Sequence, residues 1–506
     1  MKPLRYIFAS LCLTFAAAAG WIEDTEDGTV IHVKVFSLPD PAANDSHSRA
    51  QGQSIKEFVR RFPELFARKY RDTYKADPAT YGDHNWDNVS IEMHRFSGIQ
   101  VEGVETTLLS IAGDIAPDVL YVNFRQSSSY IEQEFLYPLD EYVDQMTEDQ
   151  KNFRINKKIW PVIKRVGPGS SEEQVWAVPW GGALGKVILY NRQLFDENKI
   201  PYPDNNWTWE EFFGICKKLT DPANGVYGVQ LGRGIHESWY WVTFLWSAGG
   251  DCMTYDRETD EWSCVFDSDA AVKALDFYTQ LTTEHWTDGA GTKRYGYAYK
   301  EDDASVKWER DQIGMCFSYI DEKLLTTINP DKIGLVPVPF GPERDVEVDG
   351  EIVKQRMRGA ELNSRMMGMY AGIEDRVIRD AAWEYMFWYD SEDAMAIMVK
   401  IMVEGGLGRY INPKYLEMFG YDAILRLSNP AWLEAFEIAI ETGMPEPYGR
   451  NSNIAYDLMT HPLQEAENLG LNGKLPTDPE ERYNVLKGLL EKAVARANRD
   501  MLGKIP

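Results

Sequence analysis

Apolar and polar residues alternate through Thr29-Val30-Ile31-His32-Val33-Lys34-Val35-Phe36, the period of a half-buried strand. A polar loop rich in Ser, Pro, Asp and Asn follows from Ser37 to Ser54, then a helix over about 55–74. The pattern continues with a strand over 89–96, a helical stretch near Glu105–Leu109, and a short apolar strand at 116–122 entered by Pro117. Strands are read at 174–179, 187–190 and 227–231, around a helix at Thr208–Leu219 whose N-cap Thr208 is followed three residues on by Glu211. A helix over 238–247, a hairpin around 252–264, a helix over 268–283 and strands at 312–317 and 332–338 come next. Asp345–Val353 alternates around Asp349-Gly350 as an exposed hairpin, and the chain is mostly helical from Arg376 onward. Strand and helix in alternation are the pattern of a parallel α/β sheet, here in two units.

Composition narrows the class. With 44% hydrophobic and 13% aromatic residues over 506 positions, the chain is globular and long enough for two or three domains. Acidic residues outnumber basic ones 79 to 53, a formal charge of -26 that repels a phosphate backbone and argues against nucleic acid. The same acidity suits a dispersed monomer. Residues 1–20 read as a secretory signal peptide: Lys2 and Arg5, the apolar run Tyr6–Phe15, and Ala16-Ala17-Ala18-Ala19-Gly20 before a cleavage ahead of Trp21. Leu11 before Cys12 lacks the small side chain of a lipid-attachment box, so the expected product is exported, periplasmic or extracellular, and not lipidated. Cys216, Cys252, Cys264 and Cys316 then remain. Cys252 and Cys264 flank the turn at 256–260 and face each other in a hairpin of that register, which predicts a disulfide in an oxidising compartment. Cys216 and Cys316 read as small buried hydrophobes.

Local catalytic signatures are missing. The seven histidines never come within nine residues of each other, and the cysteines have no Cys-x-x-Cys spacing, so no metal site is expected from local motifs. There is no nucleophile elbow, dinucleotide fingerprint or phosphate loop, and no cofactor is expected.

Several segments together are distinctive. Ala116-Pro117-Asp118-Val119-Leu120-Tyr121, Leu136-Tyr137-Pro138-Leu139-Asp140, Val178-Pro179-Trp180 and Leu189-Tyr190-Asn191-Arg192-Gln193-Leu194-Phe195 resemble the family 1 extracellular solute-binding proteins of ABC importers, the maltose-receptor kind. Trp207-Thr208-Trp209-Glu210-Glu211-Phe212, Phe244–Gly250, Ile313–Phe317 with Ile333–Pro339, and Ala381–Phe387 resemble the family in the same order across nearly all the chain beyond the leader. The departures are local: the loop Ser37–Ser54, the hairpin at Asp349-Gly350, and Gly181-Gly182 where many relatives carry bulkier polar residues.

The resemblance implies a two-lobed α/β periplasmic-binding-protein fold of type II, with no enzymatic activity. The first lobe would take 21–185 and 345–404, the second 190–340 and 405–506. Crossings are expected near 185–189, 338–343 and 404–408, with a ligand cleft between lobes that close by a hinge. The implied partners are a carbohydrate ligand, mono- or oligosaccharide, and transiently an ABC permease. A sugar presents hydroxyl rims and apolar C–H faces, so its site needs stacking aromatics beside planar polar groups. In the loops that the resemblance turns toward the ligand, Trp180, Trp239, Tyr319 and Tyr448 are the aromatic candidates. Asp40, Arg125, Glu237, Asp321, Glu361 and Arg409 are the polar ones. Alternatives stay open: Trp239 and Trp241 begin an apolar helix in which at least one belongs to the core, and Arg125 and Arg409 can pair with surface acids. Those arginines would also admit an acidic sugar. Two further classes compete: a secreted carbohydrate hydrolase with two cleft carboxylates, one of raised pKa, and an interaction protein serving a sensor.

Overall fold

The computed structural model describes residues 20–96, 106–113, 115–256, 258–259, 261–319, 332–348, 350–408, 411–427 and 430–504. The leader, Asp321 and Arg409 lie outside the described residues. The chain forms two compact units, one from the segments ending at Leu38, Phe58–Leu120 and Met369–Tyr385, the other from Pro39–Glu57, Tyr121–Gly368 and Met386–Pro506.

In the smaller unit, β1 (Trp21–Thr25), not anticipated from the sequence, turns back into β2 (Gly28–Val35) and pairs with it antiparallel, Trp21 opposite His32. Gly28 makes that turn possible: its φ is 148°, and a Cβ there would collide with the Asn88 carbonyl. The other edge of β2 runs parallel to β3 (Val89–Arg95), His32 opposite Glu92 and Lys34 opposite His94. Val35 pairs with Val119 at the start of β4 (Val119–Val122). Ile31, Val33, Val35, Ile91 and Val119 are buried, as are Phe58, Phe62 and Phe66, spaced four apart on one helical face. That helix, Ser46–Lys69, begins inside the stretch read as loop, because the Asp45 carboxylate accepts Ser48 N–H at 2.7 Å and caps its first turn.

The larger unit is organised by β5 (Val178–Asn191), one strand of 14 residues where the sequence suggested a break at its glycines. Gly181 and Gly182 take φ of 83° and 72°, and the pairing shifts register there without the strand ending. β6 (Tyr227–Leu231) and β7 (Ile313–Tyr319) are parallel to each other, while β7, β8 (Ile333–Pro337) and β9 (Ala360–Met369) each run antiparallel to β5. The sheet is therefore mixed, not wholly parallel. The helix Trp209–Leu219 starts with the expected Thr208–Glu211 capping box, and Asp269–Thr283 is capped by Ser268. Both pack with Glu237–Ser247, Ala455–Leu471 and Pro479–Asp500 around a large apolar core that includes Trp241. The hairpin Glu343–Val348/Glu351–Arg356 forms as predicted.

The expected disulfide is absent. Cys252 and Cys264 are buried free thiols, and the hairpin register sets Cys264 opposite Met253, leaving Cys252 one residue out of step. A one-residue offset sends side chains to opposite faces of a ribbon, which removes the geometry a bridge needs.

Candidate functional site

Lys186 decides the chemistry of β5. It stands in a run that is otherwise apolar, Val187-Ile188-Leu189-Tyr190, and its side chain has no exposure. A buried ammonium must be matched, and it is matched three ways. Its Nζ lies 2.7 Å from Glu361 Oε2, donates to the Trp239 carbonyl at 2.7 Å, and sits 3.5 Å from the centre of the Trp239 ring. Burial pushes the Lys186 pKa down, and Glu361 acts against that.

Further groups extend this centre. Register places Tyr319 of β7 opposite Lys186, and the Tyr319 hydroxyl donates to Glu361 Oε1 at 2.5 Å. Trp239 Nε1 donates to the same hydroxyl oxygen at 3.3 Å, the two rings meeting edge to face at 5.9 Å. Asn363 Nδ2 reaches the Tyr319 hydroxyl at 3.5 Å and Glu361 Oε1 at 3.4 Å. Arg125 donates from Nε to Glu446 Oε1 at 2.6 Å and lies 5.0 Å from the Tyr456 ring centre. Burial raises the Glu446 carboxyl to about 7, with Glu361 adding to the shift and Arg125 opposing it. Tyr319 and Tyr456 are both pushed well up, chiefly by burial.

Four of the expected site residues, Arg125, Trp239, Tyr319 and Glu361, thus meet in one constellation. The other described ones go elsewhere. Trp180 lines a separate cavity of about 300 Å³ with His47, Gln51, Arg154, Tyr389 and Tyr415, and Arg365 lies 5.8 Å from its ring centre. Tyr448 lines a second cavity of about 310 Å³ with Arg165 and Trp262. Glu237 is buried at the start of the helix bearing Trp239 but is bound to Lys300 at 2.7 Å and to Gln464 at 3.1 Å. Asp40 is exposed and caps its own turn through Ala42 N–H. Lys186, Glu446, Tyr456 and Asn363 complete the centre without having been singled out. A lysine inside an apolar strand was the available signal for the first, and Glu446 between Pro445 and Pro447 carried none.

The family is decided by sequence. Residues 100–396 match the model of the bacterial extracellular solute-binding proteins. The chain belongs to that family. No curated protein gives a significant sequence match. The fold of this solute-binding protein is similar to that of the ABC substrate-binding protein Lmo0181 from Listeria monocytogenes, solved with cycloalternan: 16% identity, TM-score 0.59, 93% of this chain and 98% of that one. It is similar as well to maltose-bound MalE3 of T. maritima, with 17% identity, TM-score 0.54, and 92% and 99% covered. UgpB from Mycobacterium tuberculosis, with glycerophosphocholine, matches at 14% identity and TM-score 0.56, covering 92% and 98%. The fold is the mixed α/β periplasmic-binding-protein fold seen in MalE. Such solute-binding proteins are not enzymes. Each carboxylate of the centre contacts a cation, Glu361 with Lys186 and Glu446 with Arg125. Among the described residues no helix is long and apolar enough to cross a membrane.

Proposed function

We propose that this exported solute-binding protein captures a carbohydrate, mono- or oligosaccharide, at the constellation around Lys186 and delivers it to an ABC permease. The observation that carries the reading is the convergence of Trp239, Tyr319, Glu361, Asn363, Arg125 and Glu446 at one place on β5 and its neighbours. An indole face suits the C–H face of a pyranose, and carboxylate, amide, guanidinium and phenol groups can donate to and accept from its hydroxyls. Charge refines the class. Lys186 is enclosed and matched by Glu361, and Arg125 already donates to Glu446, so neither is presented freely to a uronate carboxylate or a phosphodiester, and a neutral sugar fits better.

The lobes of this proposal are 21–185 with 345–404 and 190–340 with 405–506. Their closure over the sugar supplies the difference in affinity that a permease reads. The test is thermal unfolding of the purified protein against neutral sugars, uronates, polyols, glycerophosphodiesters and amino acids. A ligand at about 100 times its Kd adds roughly 2.7 kcal/mol. The expected result is a raised midpoint with a neutral mono- or oligosaccharide that is recovered unchanged. A shift with uronates alone would overturn the charge argument, and consumption of the sugar would overturn the receptor reading.

A further inference from the structure

In the smaller unit, two imidazoles 62 residues apart in sequence face each other across parallel strands. His32 Nδ1 on β2 lies 2.8 Å from His94 Nε2 on β3. Glu92 Oε2, two residues before His94 on the same face of β3, is 3.5 Å from His32 Nδ1 and 3.9 Å from His94 Nε2. Around a tetrahedral ion with bonds of about 2.0–2.1 Å, ligating atoms stand about 3.3 Å apart, and the three separations bracket that value. We propose that His32, Glu92 and His94 bind a divalent transition-metal ion of the zinc class, with water completing the coordination.

Two features beyond the distances support this. The second ring nitrogen of His32, Nε2, lies 3.2 Å from Glu23 Oε2, the carboxylate partner that a metal-binding histidine ordinarily has. That bond puts the His32 proton on Nε2 and leaves Nδ1 with its lone pair toward His94 and Glu92. Trp21 of β1 stacks on both rings, at 4.2 Å and 8° for His32 and at 5.0 Å and 29° for His94, which fixes their planes before any ion arrives. Lys34, with its ammonium 5.6 Å from the Trp21 ring centre, is the one nearby cation among the described groups of this cluster, and Glu23 and Glu92 offset it. Two imidazoles with one carboxylate select zinc, nickel or copper over magnesium and calcium, which prefer all-oxygen shells.

The site is tested by isothermal titration of the untagged chain with ZnCl2, NiCl2 and MgCl2. A single zinc ion per chain is expected, with no magnesium heat. Glu23→Gln should weaken zinc about tenfold and His94→Ala by more. X-ray absorption of the zinc-loaded protein should show two imidazole nitrogens. Absence of zinc heat, or zinc affinity unchanged in a His94→Ala protein with native circular dichroism, overturns the proposal. Should His94→Ala not fold, Glu92→Gln, whose side chain is 62% exposed, replaces it and must weaken zinc for the site to stand.

Discussion

Lys186–Glu361 in the larger unit and His32–Glu92–His94 in the smaller one are both polar clusters laid across neighbouring strands, and they differ in access to water. Lys186 and Glu361 are wholly enclosed, while the side chains of His94 and Glu92 are 35% and 62% exposed. An enclosed ion has only its partner to replace lost hydration, so each member of the first cluster is an obligation on the other. At the exposed members of the second cluster, Glu92 and His94, water can substitute, so removing one of them costs little stability and mainly costs whatever the cluster binds. The first arrangement specifies geometry, and the second leaves ligating atoms available.

The sharpest way to break this contrast is Lys186→Met. Chemical denaturation should register a loss of about 3–5 kcal/mol, because Glu361 would be left charged and buried. Lys186→Met combined with Glu361→Gln should recover much of it, whereas His94→Ala without metal should stay within about 0.5 kcal/mol. A loss from His94→Ala equal to that from Lys186→Met would end the comparison. Next in size is Tyr319→Phe, which removes the hydroxyl that donates to Glu361 at 2.5 Å. About 1.5–3 kcal/mol of stability is expected to go with it, together with sugar affinity measured by titration. A further effect concerns pH. The Glu446 carboxyl rises from 4.5 to about 7 on folding, so the folded chain holds a proton that the unfolded chain releases first. Its contribution is fully present below about pH 4.5 and is lost as pH rises through 7. Glu446→Gln should flatten that part of the stability profile, and an unchanged slope in denaturation midpoints would show that Glu446 is not the group responsible.

Much of this was legible in the chain. Thr208 with Glu211 announced a helix start, because a cap is a local device readable within four residues. Arg125, Trp239, Tyr319 and Glu361 were picked from loops that the family resemblance turns toward a ligand, and the fold brings the four into one group. Trp180 lines a different cavity from that group, beside Gly181 and Gly182, whose positive φ values the apolar pattern of the strand does not encode. Glu237 looked available only while its partners, Lys300 and Gln464, were unknown. The pairing of Cys252 with Cys264 failed by a single position, since register depends on how the turn is built and not on symmetry about it. His32 and His94 could not be joined by any spacing rule, because only strand order makes them neighbours.

The four described thiols carry a consequence of their own. An exported chain meets oxidants, and many such chains convert that exposure into crosslinks. Here Cys216 and Cys252 are fully enclosed, with burial holding each well above the usual thiol range, and Cys264 and Cys316 are pushed up to about 12. A thiol that stays protonated is a poor nucleophile, so enclosure alone keeps these sulfurs inert. Among the described residues there is therefore no bridge for a reductant to cut, and the four enclosed sulfurs serve as small apolar packing groups.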